Sequence, residues 1–209
     1  MTITRLIIAR HGNTFNKEDT PTRLGARTDI PLVESGKDQA KKIGLFLKKN
    51  NLLPDAIYTS HLIRTKETAQ IAIDQTGYKF PIYPLDIFNE IDYGVDENKT
   101  EEHVVNRIGK QAIKDWDDKA IVPNGWEFNP TDTIKHWIDF ASHIKTDDEG
   151  GSVLVVTSNG IARFSPHITG DFEGFRKNHK IKLSTGALSI FEYDSDTNKW
   201  SCIKWNFKP

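Results

Sequence analysis

Short unbroken apolar runs alternate along the chain with longer stretches in which apolar residues recur every three or four positions. Residues 3–9 contain Leu6-Ile7-Ile8-Ala9, and a bounded run of that length suits a strand buried on both faces. Residues 55–59, after Pro54, and residues 152–157, carrying Val153-Leu154-Val155-Val156, give two more such strands. Between them lie helical patterns. Ser35-Gly36 opens a helix with Ala40, Ile43, Phe46 and Leu47 on one face. Residues 62–76 put Thr65, Ala69, Ala72 and Ile73 on one stripe. Residues 101–116 space Val105, Ile108, Ala112 and Trp116 as one helix, and residues 133–144 repeat the pattern with Ile134, Trp137, Ala141 and Ile144. Residues 160–166 suit a short helix. Residues 187–193 and 199–205 flank turn-forming residues 194–198 and predict a terminal hairpin. The polar stretch with Pro21, Gly25 and Pro31 reads as loop, and so do residues 119–130, where Trp126 either closes over a substrate or packs as an ordinary tryptophan.

Alternating buried strands and helices predict an α/β domain with a central, largely parallel sheet. Ligands of such sheets bind at the carboxyl ends of the strands. The residues to inspect for chemistry are therefore Arg10-His11-Gly12, residues 60–64 and Ser158-Asn159-Gly160.

Composition narrows the picture. The 209 residues suffice for one domain with a real core. Hydrophobic residues at 37% and charged residues at 27% are those of a soluble globular protein. Lys plus Arg total 28 against 29 Asp plus Glu. That balance argues against a nucleic-acid or anionic-membrane partner, which calls for a basic excess, but allows a local basic pocket. One cysteine, Cys202, makes neither an internal disulfide nor a thiolate cluster, and points to a reducing compartment. No apolar run reaches membrane length and the N-terminal run is too short for a signal peptide, so a cytoplasmic protein is expected. No His, Asp and Glu cluster has metal-ligand spacing, and no metal or cofactor is expected.

The segment after the first strand, Arg10-His11-Gly12-Asn13-Thr14-Phe15-Asn16, combines a guanidinium fork suited to phosphate oxygens with a histidine able to act as nucleophile or acid–base group. After the second strand, Ser60 stands at a helix start and Arg64 one turn in, so a second arginine can point back to the strand ends. Two arginines and a helix N-terminus make a phosphate clamp.

At these positions the sequence resembles the histidine phosphatase superfamily, also called phosphoglycerate-mutase-like. Arg10, His11, Gly12, Thr14 and Asn16 match its Arg-His-Gly-x-Thr-x-x-Asn signature. Thr28, Asp29, Pro31, Leu32 and Gly36 match a second stretch. Ser60, Leu62, Arg64, Thr65, Thr68 and Ala69 match a third. The resemblance implies a three-layer α/β/α fold over residues 1–209, with a loop and helix cap at about 88–130. It implies phosphoryl transfer through a covalent phosphohistidine on His11, with Arg10 and Arg64 holding the equatorial oxygens and Asn16 adding a neutral donor. The attacking nitrogen must be neutral, so the other ring nitrogen should donate to a backbone carbonyl. In the segment Phe88-Asn89-Glu90-Ile91-Asp92-Tyr93-Gly94, the resemblance makes Glu90 the general acid, with Asp92 and Glu97 as rivals. No cofactor or metal is implied.

The last motif departs from the family. Its usual Ser/Thr-His-Gly-Gly after the late buried strand is here Ser158-Asn159-Gly160, with Ser158 in the histidine's place. Three readings follow. Ser158 or Asn159 supplies a neutral hydrogen bond to the phosphoryl group; or another histidine (His61, His103, His167 or His179) takes the role; or the protein binds a phospho-ligand and turns over slowly. The acidic stretch after Glu90 does not match the basic cap of the sugar-phosphate mutases. A phosphatase acting on a small phosphorylated substrate or a phosphoprotein is favoured, with a mutase as the alternative.

Overall fold

The computed structural model describes residues 2–209. β1 (Ile3–Arg10), β2 (Ala56–Thr59), β3 (Ile82–Pro84) and β4 (Ser152–Thr157) run parallel; β5 (Leu188–Asp194) and β6 (Lys199–Phe207) form the terminal hairpin. The six strands make one sheet in the order β3-β2-β4-β1-β5-β6, with β5 antiparallel to β1. The fold is the expected α/β class, mixed only at the hairpin.

Alternation along the central strands explains the two helical layers. Successive side chains of a strand point to opposite faces. Ile7 and Ala9 of β1, with Leu154 and Val156 of β4, pack on one face against Ile43, Leu47, Ala69, Ala72 and Ile73. Those five belong to α1 (Glu34–Lys49) and α2 (Ile63–Thr76). Leu6 and Ile8, with Val153 and Val155, face the other way. There they meet Trp137, Phe140 and Ile144 of α5 (Pro130–Asp147) and the residues around Trp116 and Trp126.

The helix expected over 101–116 is two helices, α3 (Glu101–Ile108) and α4 (Lys110–Lys119). Gly109 separates them at φ 85°, ψ 155°, a conformation that only glycine adopts without strain. The break changes the face, and Val104 rather than Val105 is fully buried. Trp126 does not stand over the cleft described below. It packs edge-on to Tyr93 and Trp116 and donates its Nε1 hydrogen to Asp96 at 2.7 Å. Two further helices follow β4, α6 (Asn159–Ala162) and α7 (Phe172–Asn178). No helix among the described residues is long and apolar enough to cross a membrane.

Candidate active site

β1 and β4 are neighbours in register, Arg10 opposite Thr157. Their next residues, His11 and Ser158, therefore emerge side by side at the carboxyl edge, and the His11 amide donates to the Thr157 carbonyl at 3.1 Å. β2 lies on the far side of β4 with Thr59 opposite Val156, which brings Ser60 and the start of α2 to the same edge. The order of strands thus gathers three of the sequence motifs in one place.

The His11 ring is buried, with Nδ1 2.8 Å from the Gly12 carbonyl oxygen. A carbonyl only accepts, so Nδ1 carries the proton and Nε2 keeps its lone pair. Burial, then the charges of Arg10 and Arg64, hold the ring's pKa well below its ordinary value, outweighing the Gly12 bond. The result is a neutral imidazole beside two guanidinium groups, with the tautomer fixed.

Arg10 uses Nη1 to donate to the Leu183 carbonyl at 2.6 Å. Arg64 is wholly buried, and its Nη groups donate to the carbonyls of Thr28 (2.7 Å), Leu24 (3.2 Å) and Gly25 (3.3 Å). Both arginines keep a buried Nε–H with no hydrogen-bond partner among the described residues. Burial lowers both arginines' pKa, and the nearby Glu90 opposes that shift.

Glu90 is buried with Arg10 and Arg64 close by. Its Oε1 accepts from the Ile91 amide at 2.9 Å and its Oε2 from the Gly160 amide at 3.1 Å. Burial raises its pKa. The two amides and the arginines oppose that shift without cancelling it. Gly160 fits because any Cβ there would collide with Glu90 Oε1. The rivals are engaged elsewhere: Asp92 pairs with Arg27, and Glu97 accepts from residues 25–28 and from Tyr93.

These groups open into a cleft of about 850 Å³, walled by Arg10, His11, Asn16, Glu90 and Asn159 among others. Asn16 is exposed on the wall. Asn159 accepts the Leu183 amide on Oδ1 at 2.8 Å, leaving its amide nitrogen outside that bond. Ser158 and Arg64 are wholly buried and stand behind the residues that wall the cleft, with the Arg64 charge still close enough to His11 to lower its pKa. The Ser158 hydroxyl, like the two Nε–H groups, has no partner among the described residues. None of His61, His103, His167 and His179 lines the cleft. His61 pairs with Asp86 and His167 stacks on Phe172.

Tyr93, Arg163 and Arg23 are among the cleft residues that the sequence reading did not single out. Tyr93 sits in the Glu90 segment and Arg163 in the segment after β4, so both were within view. Arg163 is fully buried, lies 3.9 Å over the Trp116 ring and donates to the Trp116 carbonyl at 2.6 Å. Burial brings its pKa down to about 10. Arg23, from the polar loop, lies against the Tyr93 and Trp126 rings and had no sequence signal.

A neutral histidine with its lone pair free, arginines around it and a buried carboxyl, all at the carboxyl edge of a parallel sheet, make an α/β site whose groups are chemically suited to an oxyanion. The chain belongs to the histidine phosphatase superfamily (branch 1), whose family model matches residues 6–208. A 2,3-bisphosphoglycerate-dependent phosphoglycerate mutase of Blochmanniella pennsylvanica (strain BPEN) is 33% identical, over 95% of this chain and 97% of the relative. Another, from Bifidobacterium longum (strain DJO10A), is 32% identical over 61% of this chain, a match that spans 51%, about half, of that relative's length. Among solved structures, a mycobacterial glucosyl-3-phosphoglycerate phosphatase superposes with a TM-score of 0.78 at 18% identity, covering 98% and 99% of the two chains. A phosphoserine phosphatase from Entamoeba histolytica gives 0.74 at 20% identity, covering 98% and 97%. At that identity the two structures share the fold.

Proposed function

We propose that the protein hydrolyses phosphomonoesters through a phosphohistidine on His11. The observation that carries this reading is the Nδ1–Gly12 bond, which leaves Nε2 unprotonated in a ring that resists protonation. Nε2 attacks phosphorus in line. The ester P–O bond breaks and the departing oxygen takes the Glu90 proton. The Glu90 carboxylate then removes a proton from water, whose oxygen attacks phosphorus. The P–N bond breaks, returning neutral His11 and protonated Glu90. Burial of Glu90 supports its role as the donor, and a bound phosphate dianion pushes its pKa the same way.

The Arg10 guanidinium on the cleft wall supplies a donor for the phosphoryl oxygens, and the bound group must draw the unpartnered Nε–H of Arg64 and hydroxyl of Ser158, which lie behind the wall, into reach. Asn16 and Asn159 add neutral donors from the cleft wall. Exchanging the family's histidine for Ser158 removes one charge-assisted contact, worth roughly 2–4 kcal/mol of transition-state stabilisation. The leaving group is a small phosphorylated molecule or a phosphoprotein side chain. A mutase reading is favoured by the full-length likeness to the Blochmanniella mutase. It uses the same first half-reaction, with a second hydroxyl in place of water.

Turnover of p-nitrophenyl phosphate and trapping of an acid-labile phosphoenzyme test the route. His11→Ala should abolish both. Unchanged turnover by that variant would falsify the covalent mechanism, and a product phosphorylated at a new position would favour the mutase.

A further inference from the structure

Glu97 follows the turn at 94–96 and lies outside the cleft wall. Its carboxyl group nevertheless accepts four hydrogen bonds. Oε1 takes the Gly25 amide at 2.9 Å, the Arg27 amide at 3.2 Å and the Thr28 hydroxyl at 2.7 Å. Oε2 takes the Tyr93 amide at 3.2 Å. Three of these donors sit on one irregular loop, residues 25–28.

The carbonyls of that same stretch face the other way. Those of Leu24, Gly25 and Thr28 accept the Nη groups of Arg64. These are Arg64's only side-chain hydrogen bonds among the described residues. A guanidinium is a rigid fork, so acceptors that hold its two Nη groups also fix where its Nε–H points. Residues 24–28 therefore form an adaptor, with donors on Glu97 and acceptors on Arg64. Other ties join the loop to the same segment: the Ala26 amide to the Ile91 carbonyl, and Arg27 to Asp92 and the Gly94 carbonyl. None of them reaches the Gly25 amide or the Thr28 side chain.

We propose that Glu97 is a positioning residue for phosphoryl transfer, fixing residues 24–28 so that their carbonyls aim Arg64 at the phosphoryl group on His11. The assignment rests on the His11 reading above. A carboxylate suits the task because both oxygens accept and neither donates. Glutamine keeps one acceptor oxygen but turns an NH2 toward either the Tyr93 amide or the loop donors. It cannot satisfy both sides.

The test is a double-mutant cycle on the full chain, read as vanadate and inorganic phosphate affinity by calorimetry and as kcat/KM with p-nitrophenyl phosphate. Glu97→Gln in the wild-type background should weaken vanadate binding and kcat/KM by about 10- to 100-fold, the scale of a small misplacement of a catalytic group. Thr28→Val, which removes one donor at near-constant shape, should act in the same direction by several-fold. In an Arg64→Lys background, where the fork is gone, Glu97→Gln should cost less than about twofold. A purely structural Glu97 gives the same loss in both backgrounds, and that result overturns the proposal. So does unchanged vanadate affinity in both Glu97→Gln and Thr28→Val. If Glu97→Gln does not fold, Thr28→Val carries the cycle alone. Binding requires no turnover, so turnover surviving in His11→Ala would overturn the covalent route while the affinity cycle still decides the role of Glu97.

Discussion

At the scale of single residues, the site pairs two ionisable groups whose environments push them apart. Burial and two arginines push the His11 pKa down, and burial pushes the Glu90 pKa up. Each shift favours the protonation state that the proposed chemistry needs, and each has a cost in stability with a definite sign. The folded-state pKa of Glu90 is raised. Its contribution to stability is therefore fully present below the carboxyl's unfolded value of about 4.3 and is lost as pH rises through the folded value. Glutamine at position 90 cannot ionise and escapes that loss, but its NH2 must face either the Ile91 or the Gly160 amide, a cost that is the same at every pH. The unfolding temperature of Glu90→Gln relative to wild type should therefore be more favourable at pH 7 than near pH 4, while kcat falls by about 10²–10⁴. Thermal unfolding at both pH values, together with steady-state turnover, checks this. A stability difference that is the same at both pH values would show that folding does not raise the Glu90 pKa.

At the scale of elements, the sequence was informative where one physical signal acted alone. β1 and β4 are buried on both faces, and each carries a short unbroken apolar run, Leu6–Ala9 and Val153–Val156. The motif residues at their ends, Arg10, His11 and Ser158, therefore fell where expected. β3 carried no such signal: it has three residues, two of them exposed, one a proline. Residues 101–116 misled because two helices in sequence present the same spacing as one, and a lone Gly109 is a weak mark against continuity. Arg23 was invisible because its partners, Tyr93 and Trp126, lie far along the chain. The break at Gly109 can be tested directly. A Cβ there meets nothing within 4 Å, so substitution changes only the backbone energy. Gly109→Ala should destabilise by about 1–3 kcal/mol, measured as a lower urea midpoint at unchanged slope. An unaltered midpoint would mean that α3 and α4 merge without loss.

At the scale of the whole molecule, a formal charge of −1 coexists with a site crowded by cations. Arg10, Arg64 and Arg163 are held mainly by backbone carbonyls. No carboxylate forms a direct hydrogen bond to any of their guanidinium groups among the described residues; Asp117 comes within 3.7 Å of Arg163. Burying incompletely paired charge costs stability, and under the proposed function a bound oxyanion would offset part of that cost by accepting the unpartnered Nε–H of Arg10. A ligand that binds only the native state stabilises it by about 2.7 kcal/mol at 100 times its Kd. For a chain of this length that corresponds to a rise in Tm of roughly 5–10 °C. Because the protein as a whole has almost no net charge, general attraction of anions is weak, and chloride at matched ionic strength should produce little of this rise. Arg10→Ala removes one of the free donors and part of the local field, so phosphate should shift its Tm far less than that of wild type. Equal shifts in the two proteins, or equal shifts with phosphate and chloride, would place the anion's effect elsewhere on the surface and detach the buried arginines from phosphate binding.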